Sequence, residues 1–460
     1  MLAGARPRPF WLDRPDVALA AAPPQRGRSA ADLVIVGAGF TGLWAAHQAL
    51  DDEPGLDVLV VDSSGPGDGA SGRNGGFCDA SVTHGIGNGT ARWPDEYPTL
   101  HRLGDENLAG LLADVDRHGI DAGWEAVGEI DVATADWQLD DLHASAAAHT
   151  AAGDEVTVLD ARAVRAEVDS PTFVGGVWRH RGIGLVDPGR LVEGLRAALV
   201  ARGGRLADHT PVTGLRRTAA GIAVDGPGLQ IDAARVLLAT NAFPGLVPAI
   251  RRAVVPVYDH VLVTEPLSSA QRAAIGWTRR QGLSDGANQF HYFRLTPDDR
   301  ILWGGYDAIY HYRNRMGPAV ESSEPTERML AAQLLACFPQ LQGLAVSHTW
   351  GGPIATTTRF ALTAGTRWDR RVAWAVGYTG LGVGASRFGA RVALDLLSGA
   401  DNERTRLAMI RSAPIPWPPE PIRWTGITLT RRAIARADAH DGRRGPWLRV
   451  LDALGVGFDS

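Results

Sequence analysis

The residues of this chain whose types and spacing could do chemistry begin with three glycines and a carboxylate. Gly37, Gly39 and Gly42 form GAGFTG directly after the apolar run DLVIV and at the head of a helical run. The first glycine permits a tight turn, and the third lets helix and strand pack closely. The second lets a pyrophosphate reach the backbone N–H groups at the helix start, those of Phe40 and Thr41 included. Twenty positions past Gly42, Asp62 ends a second apolar run, LDVLVVD, where a carboxylate can accept hydrogen bonds from ribose hydroxyls. Alone, a GxGxxG turn is weak and is read as a structural turn. With that strand, helix and acid in place it predicts a dinucleotide site.

Seven residues beyond Asp62 the sequence reads GASGRNGGF, residues 69–77. A plain turn needs neither Arg73 nor Asn74, so the cluster implies something lying close to this backbone. Glycine turns recur at 377–384, GYTGLGVG, again between a strand and a helix. Several separated backbone approaches suit a long ligand bound along its whole length, which favours FAD over NAD. A nicotinamide-dependent reductase would need a second nucleotide turn midway, and the sequence has none there.

Composition narrows the chemistry further. All 46 of the Lys+Arg residues are arginine, which excludes a Schiff-base lysine, a pyridoxal phosphate anchor and a phosphate-loop lysine. A net charge of −5 does not advertise nucleic acid or an acidic membrane surface. The two cysteines, Cys78 and Cys337, stand in no metal-ligand or disulfide spacing. No apolar run approaches the ~20 residues of a membrane span, and cytoplasmic is the default expectation.

The elements that must position these residues follow from patterning. Residues 1–30 are Pro- and Arg-rich and read as an extended arm. VDPGRLVEGLRAALVARGG reads as a helix with Asp187 as N-cap, Pro188 first and glycines at its end. Residues 254–264 and 290–304 read as long strands, 325–338 as a helix, PIPWPPEP as a rigid extended segment and the basic tail as one helix. That tail could serve as a partner or nucleic-acid patch, or pack on the body with a solvated basic face.

On these motifs the chain resembles the D-amino-acid-oxidase-like FAD-dependent oxidoreductases (DAO family), in the gamma-glutamylputrescine oxidase-like branch. GASGRNGG at 69–76, VDPGRL at 186–191, YFRLTPDDRILWGG at 292–305, WGG at 350–352 and GYTGLGVG at 377–384 match in order, over roughly 31–400. The resemblance implies an α/β fold: a Rossmann-like FAD-binding domain from 31–100, 180–245 and 345–400, and a sheet-rich α+β substrate domain from 101–179 and 246–344. Residues 401–460 form a C-terminal addition. It also implies that Ser71, Gly72, Arg73, Asn74, Gly75 and Gly76 run beside the pyrophosphate and flavin ring, with Arg73 and Asn74 as donors. Val212 would present its backbone to adenine, Thr240 would lie near the nucleotide, and Gly380, Leu381, Gly382 and Val383 would face the pyrimidine side of the ring. Non-covalent FAD is expected, with Cys78 read as packing and His84 given no better claim to a covalent bond.

The reaction so implied is oxidation of a small amine to an imine, hydrolysed to a carbonyl product, with O2 as acceptor. A dehydrogenase is the alternative because no lysine exists to promote reaction with oxygen. An amino-acid oxidase and a non-catalytic flavin-binding protein also stay open. His291 and Tyr258 are the candidate catalytic pair; Tyr292, Tyr306 and Arg359 are candidate substrate contacts. Relatives of the glycine oxidase type carry a carboxylate-clamping arginine four positions after the tryptophan of WGG. Here that position is Ile354, which turns the reading away from α-amino acids. Ala355 stands where the gamma-glutamylputrescine branch often has an acid, so that substrate is also in question.

Overall fold

A computed structural model describes residues 1–17, 19–243 and 245–453, with the side chain of Tyr306 outside the described residues. Along the chain, the argument uses β1 (Gly27–Val36), α1 (Phe40–Asp52), β2 (Val58–Val61), α2 (Pro188–Ala201), β3 (Leu229–Leu238), β4 (Val255–Thr264), β5 (His291–Leu295) and β6 (Ile301–Tyr310). After them come β7 (Val346–Thr356), β8 (Val372–Val376), α3 (Gly382–Ser398), α4 (Ile422–Asp438) and α5 (Pro446–Ala453).

One sheet is built on β1. Its inner half, Leu33–Val36, is buried, as expected of a parallel strand covered on both faces. It pairs in parallel with β2 (Leu33 opposite Val58) and with β3 (Val36 opposite Leu238), and β3 pairs in parallel with β8. Helices α1 and α3 pack side by side beneath this sheet, and every residue of α1 from Phe40 to Leu50 is buried. Helix α2 starts at Pro188, and the Asp187 carboxylate accepts the Arg190 N–H at 3.1 Å, capping the helix.

Among the described residues the second sheet has nine strands, with β7, β4, β6 and β5 adjacent in that order. Its far side is an aromatic core of Phe173, Trp277, Phe293, Trp303 and Phe338. Phe293 and Trp303 have ring centroids 4.5 Å apart. Its near side faces the first sheet across a cavity.

Four sequence expectations are corrected here. Residues 1–30 are not an arm: Arg6–Pro7 pairs with β7 at His348 and Thr349, and Trp11 is fully buried. An indole cannot be left in water cheaply when a core can take it, and its N–H donates to the Asn74 carbonyl at 2.8 Å. Residues 346–356, assigned above to the nucleotide-binding side, form β7 and belong to the second sheet, because their apolar run pairs with β4 along its length. The long strand expected over 290–304 is a hairpin of β5 and β6, broken at the Pro297–Arg300 turn. The tail carries two helices, α4 and α5, rather than one.

The Trp11 bond gives a direct test. Replacing Trp11 by Phe keeps an aromatic ring but leaves the Asn74 carbonyl without its indole donor. The variant should lose about 1–3 kcal/mol of unfolding free energy, read from the midpoint of denaturant unfolding.

Candidate active site

A cavity of about 1710 Å³ runs from the carboxyl ends of β1 and β2 to the near side of the second sheet. Single small-ligand sites occupy roughly 300–1,000 Å³, so this one has room for two molecules. At one end lie the GAGFTG turn, Asp62, Val212 and Thr240. Gly37 has φ +110°, and a Cβ there would sit 2.5 Å from the Ala239 carbonyl oxygen. A Cβ on Gly42 would come within 1.8 Å of the Gly37 carbonyl oxygen, so helix and turn touch backbone to backbone. Gly39 precedes α1, and the Ser71 hydroxyl accepts the Phe40 N–H at 2.9 Å. The Thr41 hydroxyl donates to Tyr378 at 3.0 Å. Both Asp62 oxygens accept backbone N–H groups, from Ala38 at 2.7 Å and Ser64 at 2.9 Å. Burial raises its pKa, and its remaining lone pairs face the cavity.

The 69–77 loop crosses the middle of the cavity and is held by its own side chains. Asn74 donates to the Ala70 and Ser71 carbonyls and accepts the Gly76 N–H. Arg73 donates to the Asp68 and Gly351 carbonyls and pairs with Glu321 at 2.9 Å. Both residues also line the cavity, and the Arg73 bonds use its Nε and one terminal nitrogen. From outside, Trp11 and Trp350 donate to the Asn74 and Arg73 carbonyls, each at 2.8 Å. Gly72 is buried against Leu12, and Gly76, at φ +82°, against Val186 and Arg294. Opposite this loop, Gly380, Leu381, Gly382 and Val383 bring the start of α3 to the cavity.

The far end is where strand parity decides which side chains meet a ligand. Side chains alternate along a strand, so Val257, Asp259 and Val261 of β4 line the cavity together. Likewise Tyr292 of β5 faces it, whereas His291 and Phe293 turn to the opposite side. His291 is held by Asp285 at 2.6 Å and Gln333 at 3.0 Å and stacks on Trp303, away from the cavity. The Tyr258 ring touches the cavity, but its hydroxyl accepts the Gly317 N–H at 3.2 Å on the far side. The proposed His291–Tyr258 pair is therefore not brought together. Arg359 also lies outside the cavity: it donates to the Ser412 and Leu362 carbonyls and covers Trp93, anchoring the segment before α4. Tyr292 does line the cavity.

Sequence reasoning missed Asp259. The Tyr292 hydroxyl donates to it at 2.5 Å, and burial pushes the carboxyl up to about 6, against hydrogen bonds from Tyr292 and the His260 and Gly305 backbone. The Tyr292 ring lies between two glycines: a Cβ on Gly75 or on Gly304 would come within 2.5 Å of it. Those glycines were the available signal. Beside Asp259, β4 and β6 slip register between Tyr258 and His260, a bulge that turns Asp307 toward the cavity and its ion pair with Arg431 of α4, at 2.7 Å. Further along the wall, Arg179 is bracketed by Asp79 and Glu129; burial and Asp131 push Glu129 to about 7. His84 also lines the cavity, its Nδ1 buried without a partner and its pKa pushed down to about 4 by burial, so it is neutral at pH 7. Cys78 is fully buried in the core under the first sheet.

A sequence model of the FAD dependent oxidoreductase family (DAO) matches residues 32–396. The chain belongs to that family. Gamma-glutamylputrescine oxidoreductase of Escherichia coli K12 is 32% identical over 381 residues, covering 81% of this chain and 84% of that protein. Among solved structures, glycine oxidase from Geobacillus kaustophilus superposes with a TM-score of 0.69 at 20% identity, covering 82% of this chain and 96% of that one. L-proline dehydrogenase from P. horikoshii gives 0.66 at 16% identity, covering 82% and 96%. These two share the fold. This flavoprotein is thus FAD-dependent, and its residues fit the group: the backbone-to-backbone turn at Gly37 and Gly42, the partnerless His84 Nδ1 and the cavity's length all call for an extended polar ligand.

At Gly39 an added Cβ meets the Ser71 hydroxyl at 2.9 Å, the oxygen that caps α1. Gly39→Val should therefore purify without flavin colour; a yellow, fully loaded variant would show that the pyrophosphate lies elsewhere.

Proposed function

We propose that this flavoprotein oxidises a C–N bond of a small amine lacking an α-carboxylate, giving an imine that water converts to a carbonyl product. The observation that carries this reading is Asp259, a buried carboxyl facing the cavity and oriented by Tyr292, with Gly352 opposite it on β7 and Ile354 two residues further along, opposite Val257. Arg179, paired with Asp79 and Glu129, and Arg431, paired with Asp307, are both engaged by carboxylates of the protein rather than held ready to clamp one on a substrate. The Escherichia coli relative is named for gamma-glutamylputrescine and the Geobacillus neighbour for glycine, compounds that both carry an amine.

FAD, when bound, supplies the hydride acceptor. The chain's own residues do the rest. Asp259, ionised above pH about 6, holds the substrate ammonium and can take its proton, so that the amine nitrogen gains the lone pair that forms the imine. Tyr292, fixed between Gly75 and Gly304, keeps the Asp259 carboxylate from turning away. Val257 and Val261 keep the surroundings apolar, and helix α4 closes the cavity with Ile427, Thr430 and Ile434. The Gly75 backbone, the start of α3 and the WGG strand confine the reacting carbon in one orientation.

The acceptor of the electrons is read as O2. The absence of any lysine favours a second reading, a dehydrogenase that hands electrons to another acceptor.

Adding an amine panel under anaerobic conditions should bleach the flavin absorbance, and α-amino acids should not. Rapid return of colour in air means an oxidase, slow return a dehydrogenase. A protein that binds FAD and is reduced by no amine would end the proposal. For the working form, kcat/KM should rise along an acid limb near pH 6, because the carboxyl must lose its proton to hold an ammonium. Asp259→Asn should remove that limb and lower kcat/KM by roughly 10²–10⁴-fold; an unchanged pH profile would take Asp259 out of the reaction.

A further inference from the structure

Residues 414–453 lie beyond the family match and fold as an extended segment followed by α4 and α5. The inner side of α4 is committed: Ile427, Thr430, Arg431 and Ile434 line the cavity, and Asp438 accepts the Asn288 and Gln289 N–H groups at 3.0 Å. The outer side is unusual. Among the described residues eleven large apolar side chains are exposed, and six of them belong to this short segment: Ile415, Ile422, Trp424, Leu429, Trp447 and Val450. Ile422, at 64% exposed, and Leu429 stand seven positions apart on α4, so both fall on one stripe of the helix. Arg432 and Arg436 share that outer side.

Charge distinguishes the patch from the rest of the chain. The segment holds seven arginines against four carboxylates, in a protein whose overall charge is −5. Three of the carboxylates are engaged: Glu420 by Tyr310, Asp438 by Asn288, and Asp452 by Arg444. Arg423 is bonded to Asn314, and Arg431 to Asp307. Arg432, Arg436 and Arg443 have no ion pair among the described residues, which leaves positive charge interleaved with exposed apolar side chains.

We propose that the outer face of α4 and α5 docks on an anionic lipid surface. Guanidiniums interspersed with Trp, Ile and Leu match the interfacial pattern, in which apolar side chains enter the headgroup boundary and basic ones meet lipid phosphates. A second copy of the chain fits less well, since a two-fold interface would bring two patches of surplus positive charge together. No described helix is long and apolar enough to cross a membrane, so the contact is peripheral. It is independent of which amine the cavity takes, and it sets the outer side of the helix that closes the cavity against the bilayer.

The full-length flavin-loaded protein should co-sediment with vesicles of mixed phosphatidylglycerol and phosphatidylcholine, stay in solution with phosphatidylcholine alone, and be released by high salt. Arg432→Glu with Arg436→Glu should weaken partition at least roughly tenfold. Ile422→Ser with Leu429→Ser should weaken it as well. Neither pair lines the cavity, so both variants should keep the flavin spectrum of the parent, which reports their folding. Protein that stays in solution with anionic vesicles, or variants that sediment like the parent, would overturn the assignment. So would a dimer on size exclusion that Ile422→Ser with Leu429→Ser splits, since that face would then be an interface between copies.

Discussion

The close approach of backbone to backbone around the 69–77 loop is the constraint on which the rest of the site depends. Four of the loop's nine residues are glycine, so its shape is imposed by hydrogen bonds to its carbonyls. Indoles from two distant places, Trp11 and Trp350, supply two of these bonds, and Asn74 supplies the internal ones. Arg73 ties the loop to β7 through the Gly351 carbonyl. Because the loop is fixed, Gly75 can press on the Tyr292 ring, with Gly304 on its other side. The ring in turn directs its hydroxyl to Asp259. A chain of contacts thus leads from a glycine-rich turn on one sheet to a buried carboxyl on the other.

Much of this was legible in the sequence, and the failures have a common physical cause. The turn at Gly37–Gly42, the cap at Asp187–Pro188 and the family resemblance are local or ordered patterns, and they survive without knowledge of distant contacts. Which face of β4 and β5 meets the cavity is not local. Alternation marks two faces but does not say which is which. Choosing Tyr258 and His291 selected the side packed toward Gly317 and Trp303, one residue away from Asp259 and Tyr292 on both strands. The bulge in β6 adds a register change that no alternating pattern encodes. Arg359, which bonds the Ser412 and Leu362 carbonyls outside the cavity, shows a second limit. A guanidinium can serve a ligand or the protein's own backbone, and only the positions of nearby carbonyls decide.

Averages concealed the C-terminal face in the same way. A net charge of −5 over 460 residues says nothing of a short segment with the opposite balance. The arm that compositional reasoning left outside the fold illustrates the converse. Pro and Arg made residues 1–30 look peripheral, yet one tryptophan and a two-residue strand carry that segment into the centre of the molecule.

That threading has a consequence for the order of assembly on the ribosome. Trp11 and the 69–77 loop emerge early, but Trp350 and the strand that receives Arg6 emerge only after three quarters of the chain. At 5–20 residues per second, the interval is on the order of tens of seconds. Throughout it the nascent chain carries a glycine-rich loop with half its restraints, and an indole awaiting its core. The full set of restraints on the loop is therefore available only after the second sheet has been synthesised, long after the nucleotide turn.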